Sequence, residues 1–220
     1  PALARATALD ALADHPGAEA VAAARRGLAD ADPLARLAAL RALRAYPSTD
    51  VFPLARPLLA YPVLGVRAEA AVLLADVPAE RLAGEERAQL ARALDDYVAT
   101  QWLNADRPEH RVNLGTLFQR QGRWAAAEKE FRAARALDPS FTPADVGLAQ
   151  LFARQGRAEE GEGVLRAALG KRPDDADLHH ALGLALARRQ RSTEALMELA
   201  RASALAPNNA RFAFVHAVAL

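Results

Sequence analysis

The chain has 220 residues and a formal net charge of +1, with 52% apolar but only 5% aromatic residues and no cysteine. Near-neutrality argues against a general polyanion binder. The missing cysteines exclude disulfides, thiolate metal sites, thiol nucleophiles and cysteine-attached haem within these residues, and no apolar run approaches the roughly 18 residues of a membrane span. The apolar weight is mostly Ala and Leu, which favours closely packed helices over a sheet built from β-branched and aromatic residues. Only Lys129 and Lys171 are lysine, so nearly all positive charge is Arg.

In chain order, the first signal is a 31-residue period. "RATALDAL" from Arg5, "RLAALRAL" from Arg36 and "RAEAAVLL" from Arg67 are spaced by that interval. Pro16, Pro47 and Pro78 keep it, as do Leu28 and Leu59. Each unit reads as two short helices, one of them opened by Asp32 as cap and Pro33 as first residue. The pattern over 1–83 resembles short HEAT-like repeats, and bilin-lyase-type repeats of this length are similar too. Residues 84–107 have helical apolar spacing through Leu90, Leu94, Tyr97 and Trp102 and no interior Gly. They predict a longer junction helix, because a linker would be richer in Gly, Ser or Pro. Tyr97 and Trp102 are expected to cover the unit that follows.

From 108 the period becomes 34. Leu114-Gly115, Leu148-Ala149 and Leu182-Gly183 align, then Phe118, Phe152 and Leu186, then Ala127, Gly161 and Ala195. Phe131, Leu165 and Leu199 follow, then Ala134, Ala168 and Ala202, and Pro139, Pro173 and Pro207 close each unit. These columns resemble the tetratricopeptide repeat, with units 108–141, 142–175 and 176–209 and a partial fourth at 210–220. The Trp of that repeat's first helix is replaced by Arg111, Asp145 and His179. Small residues at Gly115, Ala149 and Gly183 are expected to let paired helices approach, with Phe131 and its counterparts filling between them. Thr142 and Asp145 predict a capping box. The fold class that follows is all-α: a right-handed α-solenoid of about 13 helices in stacked hairpins, the two arrays continuous. Both ends of the chain read as cuts through helices, so a fragment of a longer protein is expected.

"RQGR" occurs at Arg120–Arg123 and Arg154–Arg157, and "RRQR" follows at Arg188–Arg191. The motif falls at the turn between the two helices of a unit. Gly122 and Gly156 stand where the chain needs a positive φ, and Gln190 in the third copy predicts a strained turn. The leading arginines can satisfy helix-end carbonyls or meet a partner.

Catalytic signals are lacking. The histidines His15, His110, His179, His180 and His216 make no zinc spacing, although a His179–His216 contact across stacked helices is conceivable. No GxSxG, P-loop or GxGxxG occurs. Gly161–Gly163 reads as a weakened second helix, and Asp95-Asp96 as a solvated face. No cofactor or metal and no enzymatic activity is expected.

The resemblance implies a concave groove lined by the first helix of each unit. On this sequence that groove would present Asn113, Thr116, Gln119, Arg120, Gln150, Arg154, His180, Leu184, Arg188, Arg211 and Phe214. The carboxylate clamp of chaperone-binding members is absent, since Val112, Thr116, Gly147, Asp177 and Ala181 occupy its places. Residues 108–220 hold 16 Lys and Arg against 13 Asp and Glu, too balanced for an RNA reader. The expected function is a non-catalytic protein-interaction scaffold. Its partner would be a protein, a peptide or another domain of the same chain, with no nucleic acid and no membrane span. The alternative is an accessory module of a larger redox protein, because the order of the two arrays resembles the C-terminal part of some bacterial multihaem cytochromes. That reading would place it in the periplasm; otherwise it would be cytoplasmic.

Overall fold

A computed structural model describes residues 1–15 and 17–219. Pro16, first of the proline series, and Leu220, last of the partial fourth unit, lie outside the described residues. Among those described there are thirteen α-helices, four short 3₁₀ segments and no strand. The chain divides into two compact units, 1–103 and 104–220.

The N-terminal unit holds α1 (Ala2–Ala11), α2 (Ala18–Leu28), α3 (Pro33–Ala42), α4 (Ser48–Ala55), α5 (Leu64–Leu73) and α6 (Gly84–Leu103). Helices α1, α3 and α5 form one row, with α2 and α4 packed behind them. The 3₁₀ segments Leu12–Asp14 and Leu43–Ala45 extend α1 and α3, and Arg56–Ala60 extends α4. Small side chains set the spacing. A Cβ on Gly27 would stand 2.7 Å from a Leu9 methyl and 2.9 Å from the Ala39 methyl, so α2 sits directly on α1 and α3. Ala35, Ala39, Leu40, Leu43, Ala55, Leu73 and Leu74 are fully buried there. Asp32 caps α3 by accepting from the Leu34 amide, with Pro33 in the first turn. The expected junction segment is divided between the units: its helix, α6, packs on α5 and on Arg56–Ala60, while 104–107 belong to the C-terminal unit.

The arginines of the 31-residue period link successive hairpins. Arg5 forms a bidentate pair with Asp30 at 2.7 and 2.9 Å. Arg36 donates to the Asp30 carbonyl and lies 4.6 Å over the Tyr61 ring. Arg67 donates to the Tyr61 carbonyl and to Asp96. Asp96 is therefore an ion-pair partner and not simply a solvated carboxylate, whereas Asp95 is exposed.

The C-terminal unit consists of three hairpins and one further helix. They are α7 (Pro108–Arg120) with α8 (Trp124–Leu137), α9 (Thr142–Arg154) with α10 (Ala158–Leu169), α11 (Ala176–Arg188) with α12 (Ser192–Leu205), and α13 (Ala210–Ala219). Helices α7, α9 and α11 form the first row. Phe131 of α8 lies against two glycines at once: a Cβ on Gly115 would stand 2.8 Å from its ring, and one on Gly147 would collide with it. Leu199 occupies the same place over Gly183. The expected pairing of a small residue with a filler is therefore the packing rule of this unit.

Candidate functional site

The three turns of the 34-residue period share one geometry. Gly122, Gly156 and Gln190 have φ of 70°, 76° and 60°. Each is followed by an arginine whose amide donates back into the end of the first helix: Arg123 to the Phe118 carbonyl, Arg157 to Phe152 and Arg191 to Leu186. With the amide of the left-handed residue itself bonded to Gln119, Ala153 or Ala187, this is a Schellman end. Gln190 adopts a conformation that glycine reaches at no steric cost.

The trailing arginines, to which the sequence pattern assigns no role, make most of the contacts at these turns. Arg123 lies 4.2 Å over the Phe118 ring and Arg157 lies 4.1 Å over Phe152. A guanidinium face thus replaces the apolar contact that usually accompanies such an end. Arg157 and Arg191 also clasp Glu160 and Glu194 in the first turn of the next helix. These carboxylates are held below their ordinary pKa by those hydrogen bonds, with burial opposing.

The column that lacks Trp is a chain of buried polar couples. Arg111 donates to the Ala105 carbonyl and to the buried Glu130. His179 faces the Glu198 carboxylate at 2.6 Å and the Pro173 carbonyl at 2.9 Å, so the conjectured His179–His216 contact does not form. Asp145, 3% exposed, pairs with Arg135 and Arg172. The capping box expected from Thr142 and Asp145 is accordingly absent: the Thr142 hydroxyl donates to Asp175 instead, and Asp145 is engaged by two guanidinium groups. A buried Glu162, central in the predicted weak "GEG" stretch, is bound by Arg166, Arg189 and Arg191. Its burial would raise the carboxyl pKa, but hydrogen bonds from Arg166 and Arg191 outweigh it and the net displacement is downward. Gly161 beside it is a close approach, since a Cβ would stand 2.7 Å from the Ala149 carbonyl oxygen.

The residues expected to line a groove fall into three groups. Thr116, Gln150, Arg154, Arg188, Arg211 and Phe214 are exposed, as is Asn113, and Arg120 and Leu184 are half-buried. Asn113 and Arg120 are each engaged by another group. Gln119 and His180 are buried at 8% and 6% exposure, which withdraws them from contact with a partner. The His180 ring stacks on Phe212 of α13 at 4.4 Å. Burial lowers the His180 pKa, the nearby Arg211 adds to this, and Asp177 opposes it.

Between α9, α10 and α11 lies a cavity of about 220 Å³, floored by Val146, Ala149, Leu165 and Ala181 and rimmed by Gln150 and Arg188. Among the described residues no group of three or more His, Asp or Glu side chains could hold a metal ion. No helix is long and apolar enough to cross a membrane.

Comparison with known proteins agrees with the 34-residue geometry. A tetratricopeptide-repeat family profile matches residues 112–176 and 146–210, so this part of the chain consists of tetratricopeptide repeats. Similar solved structures include MamA, at 18% identity and a TM-score of 0.43, covering 79% of this chain and 90% of that one. Another is a thermophilic tetratricopeptide-repeat protein of Thermus thermophilus, at 19% identity and a TM-score of 0.43, covering 91% and 88%. No curated protein sequence matches the chain.

Proposed function

We propose that the tetratricopeptide repeats of this chain act as a non-catalytic scaffold, presenting the row α7, α9 and α11 to a protein or peptide partner. We assign the 31-residue pattern of the N-terminal unit to short HEAT-like repeats and give that unit no chemistry of its own. The observation that carries the reading is a contrast among arginines. Most of those at the turns and between hairpins are neutralised by carboxylates: Arg157 by Glu128 and Glu160, Arg172 by Asp145, Arg189 by Glu159 and Glu162, Arg191 by Glu162 and Glu194; Arg123 instead lies over the Phe118 ring. Arg154 and Arg188 end the first helices, are exposed, and have no hydrogen bond or ion pair among the described residues. They remain available to a partner's carboxylates, for which guanidinium is well suited, and the half-buried Leu184 and exposed Gln150 offer apolar and amide contacts beside them. An extended peptide or a partner helix fits such a surface. The test is cross-linking of the tagged chain in cells, with partners quantified for the wild type and for the double variant Arg154→Glu, Arg188→Glu. Loss of specific partners is expected; an unchanged partner set would refute the arginine row.

A further inference from the structure

We infer that the cavity between α9, α10 and α11 seats one bulky apolar side chain of a bound peptide, with Arg188 binding the carboxylate of an acidic residue next to it. This rests on the scaffold reading and names the ligand chemistry of one subsite.

The cavity has a structural origin in the repeat. In the first hairpin the notch between Gly115 and Gly147 is filled by the Phe131 ring. One period later the same three places hold Ala149, Ala181 and Leu165. All three line the cavity. A leucine stands where the preceding hairpin has a phenylalanine, and alanines stand where it has Gly115 and Gly147. Gly161 brings α10 against the α9 backbone, so α10 cannot shift inward to close the gap. In the third hairpin Leu199 meets Gly183 directly and the notch is filled again. The cavity of the second hairpin lies at this notch.

Size and charge select the occupant. At about 220 Å³ the space is below the roughly 300–1,000 Å³ of small-molecule and cofactor pockets, and suits a single large side chain. Charge at the rim is unbalanced. Glu162 at the cavity edge is already bound by Arg166, Arg189 and Arg191, and Arg189 also holds Glu159. Arg188 lines the same cavity without a partner among the described residues. An apolar side chain entering beside it brings an acidic neighbour within its reach, and the exposed Gln150 can bond the intervening backbone.

The test begins with selection from a phage-displayed library of random 12-residue peptides against the full chain. Enriched peptides are then synthesised with blocked ends and titrated by fluorescence anisotropy. Enrichment of a bulky apolar residue adjacent to Asp or Glu is expected. Leu165→Phe refills the notch and should weaken binding at least tenfold, as should Arg188→Glu, with Arg188→Lys intermediate. Ala181→Leu fills the notch from α11 and serves if circular dichroism shows Leu165→Phe to be misfolded. Full binding to both filled variants overturns the inference; if Arg154→Glu and Arg188→Glu still weaken that binding, the scaffold reading survives it. Each peptide is also made with a free C-terminal carboxylate; binding of that form alone overturns the acidic-side-chain assignment, and failure of any peptide to enrich counts against both readings.

Discussion

The two units end their helices in different ways. In the C-terminal unit α7, α9 and α11 each run 13 residues and reverse through one left-handed residue. In the N-terminal unit the helices before α6 are 8 to 11 residues long, and α1, α3 and α4 tighten into 3₁₀ segments. Two of these segments run into Tyr46 and Tyr61, which are extended because a following proline disfavours the helical conformation. Without a glycine at the helix end, the chain spends three to five residues on a turn that a Schellman end completes in two. The ion pairs differ as well. N-terminal pairs such as Arg5–Asp30, Arg44–Glu69 and Arg56–Glu86 have half-exposed arginines at the surface. The C-terminal unit buries carboxylates, at Glu130, Asp145 and Glu162. The lesson is that small-residue packing serves both units, while helix ends are set by left-handed turns in one and by 3₁₀ segments and proline in the other.

The largest effects should come from packing. Phe131→Ala removes a ring that fills the notch between α7, α8 and α9, and should cost about 3–5 kcal/mol. Leu43→Ala, in the N-terminal core, should cost about 2–4 kcal/mol. Hydrogen exchange resolved by segment separates the two. The first variant should raise exchange in α7–α9 and leave α1–α5 near wild type, and the second should do the reverse. Exchange rising throughout the chain in both variants would mean that the units unfold together.

How much was legible follows from this contrast. The helix count, the two periods and the left-handed turns could be read because each rests on a local signal: Pro spacing, Gly at a helix end, and small-against-large columns. The ion-pair networks could not. Asp145 sits in a helix's first turn and looks like a cap, yet its partners Arg135 and Arg172 are brought to it by the stacking of neighbouring hairpins. Likewise Glu162 sits between two glycines in sequence and among three guanidinium groups in space. Of the groove set, Gln119 and His180 were misplaced because a small rotation of a helix about its axis separates an exposed position from a buried one. The Leu165 for Phe131 exchange was visible in the sequence; the cavity beside Leu165 was not, nor was the close approach of Gly161 in α10 to the Ala149 carbonyl.

Next in size are the carboxylates. Glu162→Gln removes the charge that three arginines share, and should cost about 1–2 kcal/mol, reduced from the buried-pair range because those guanidinium groups remain open to water. Asp30→Asn, at the less buried N-terminal counterpart, should cost less in thermal unfolding. Asp30 is held down to about 2 by its hydrogen bond from Arg5, then by the Asp32 amide. Its contribution is therefore complete above the ordinary carboxylate pKa near 4 and is lost as the pH falls towards about 2. An equal loss from both substitutions would erase the distinction between buried and surface pairing.

Gln190 offers a change of opposite sign. At φ of 60° it carries a Cβ penalty that Gly122 and Gly156 do not. Gln190→Gly should therefore stabilise α11 and α12 by about 0.5–1 kcal/mol, the relief of that penalty less the added freedom of the unfolded chain. Gly156→Gln should destabilise α9 and α10 by a similar amount. Segment-resolved exchange at the two turns checks both. If Gln190→Gly slows nothing, the third turn gains something from its glutamine that the backbone does not show.

The smallest effect should appear only in acid. Burial keeps the His180 imidazole below its ordinary value near 6.5, so above that pH it is neutral in both the folded and the unfolded chain. As the pH falls below about 6.5 the unfolded chain takes up the proton first, and stability of α11 and α13 declines towards the lowered folded value. Arg211 strengthens this by opposing a second positive charge, and Asp177 weakens it. His180→Phe keeps a ring stacked on Phe212 and removes the titration. The stability gap between the variant and the wild type should therefore widen in the variant's favour between about pH 7.5 and about pH 5.5, while the other histidines cancel because both proteins retain them. A gap that does not change with pH would mean that α13 moves to let water reach His180, and that the C-terminal end of this unit is less tightly closed than its first two hairpins.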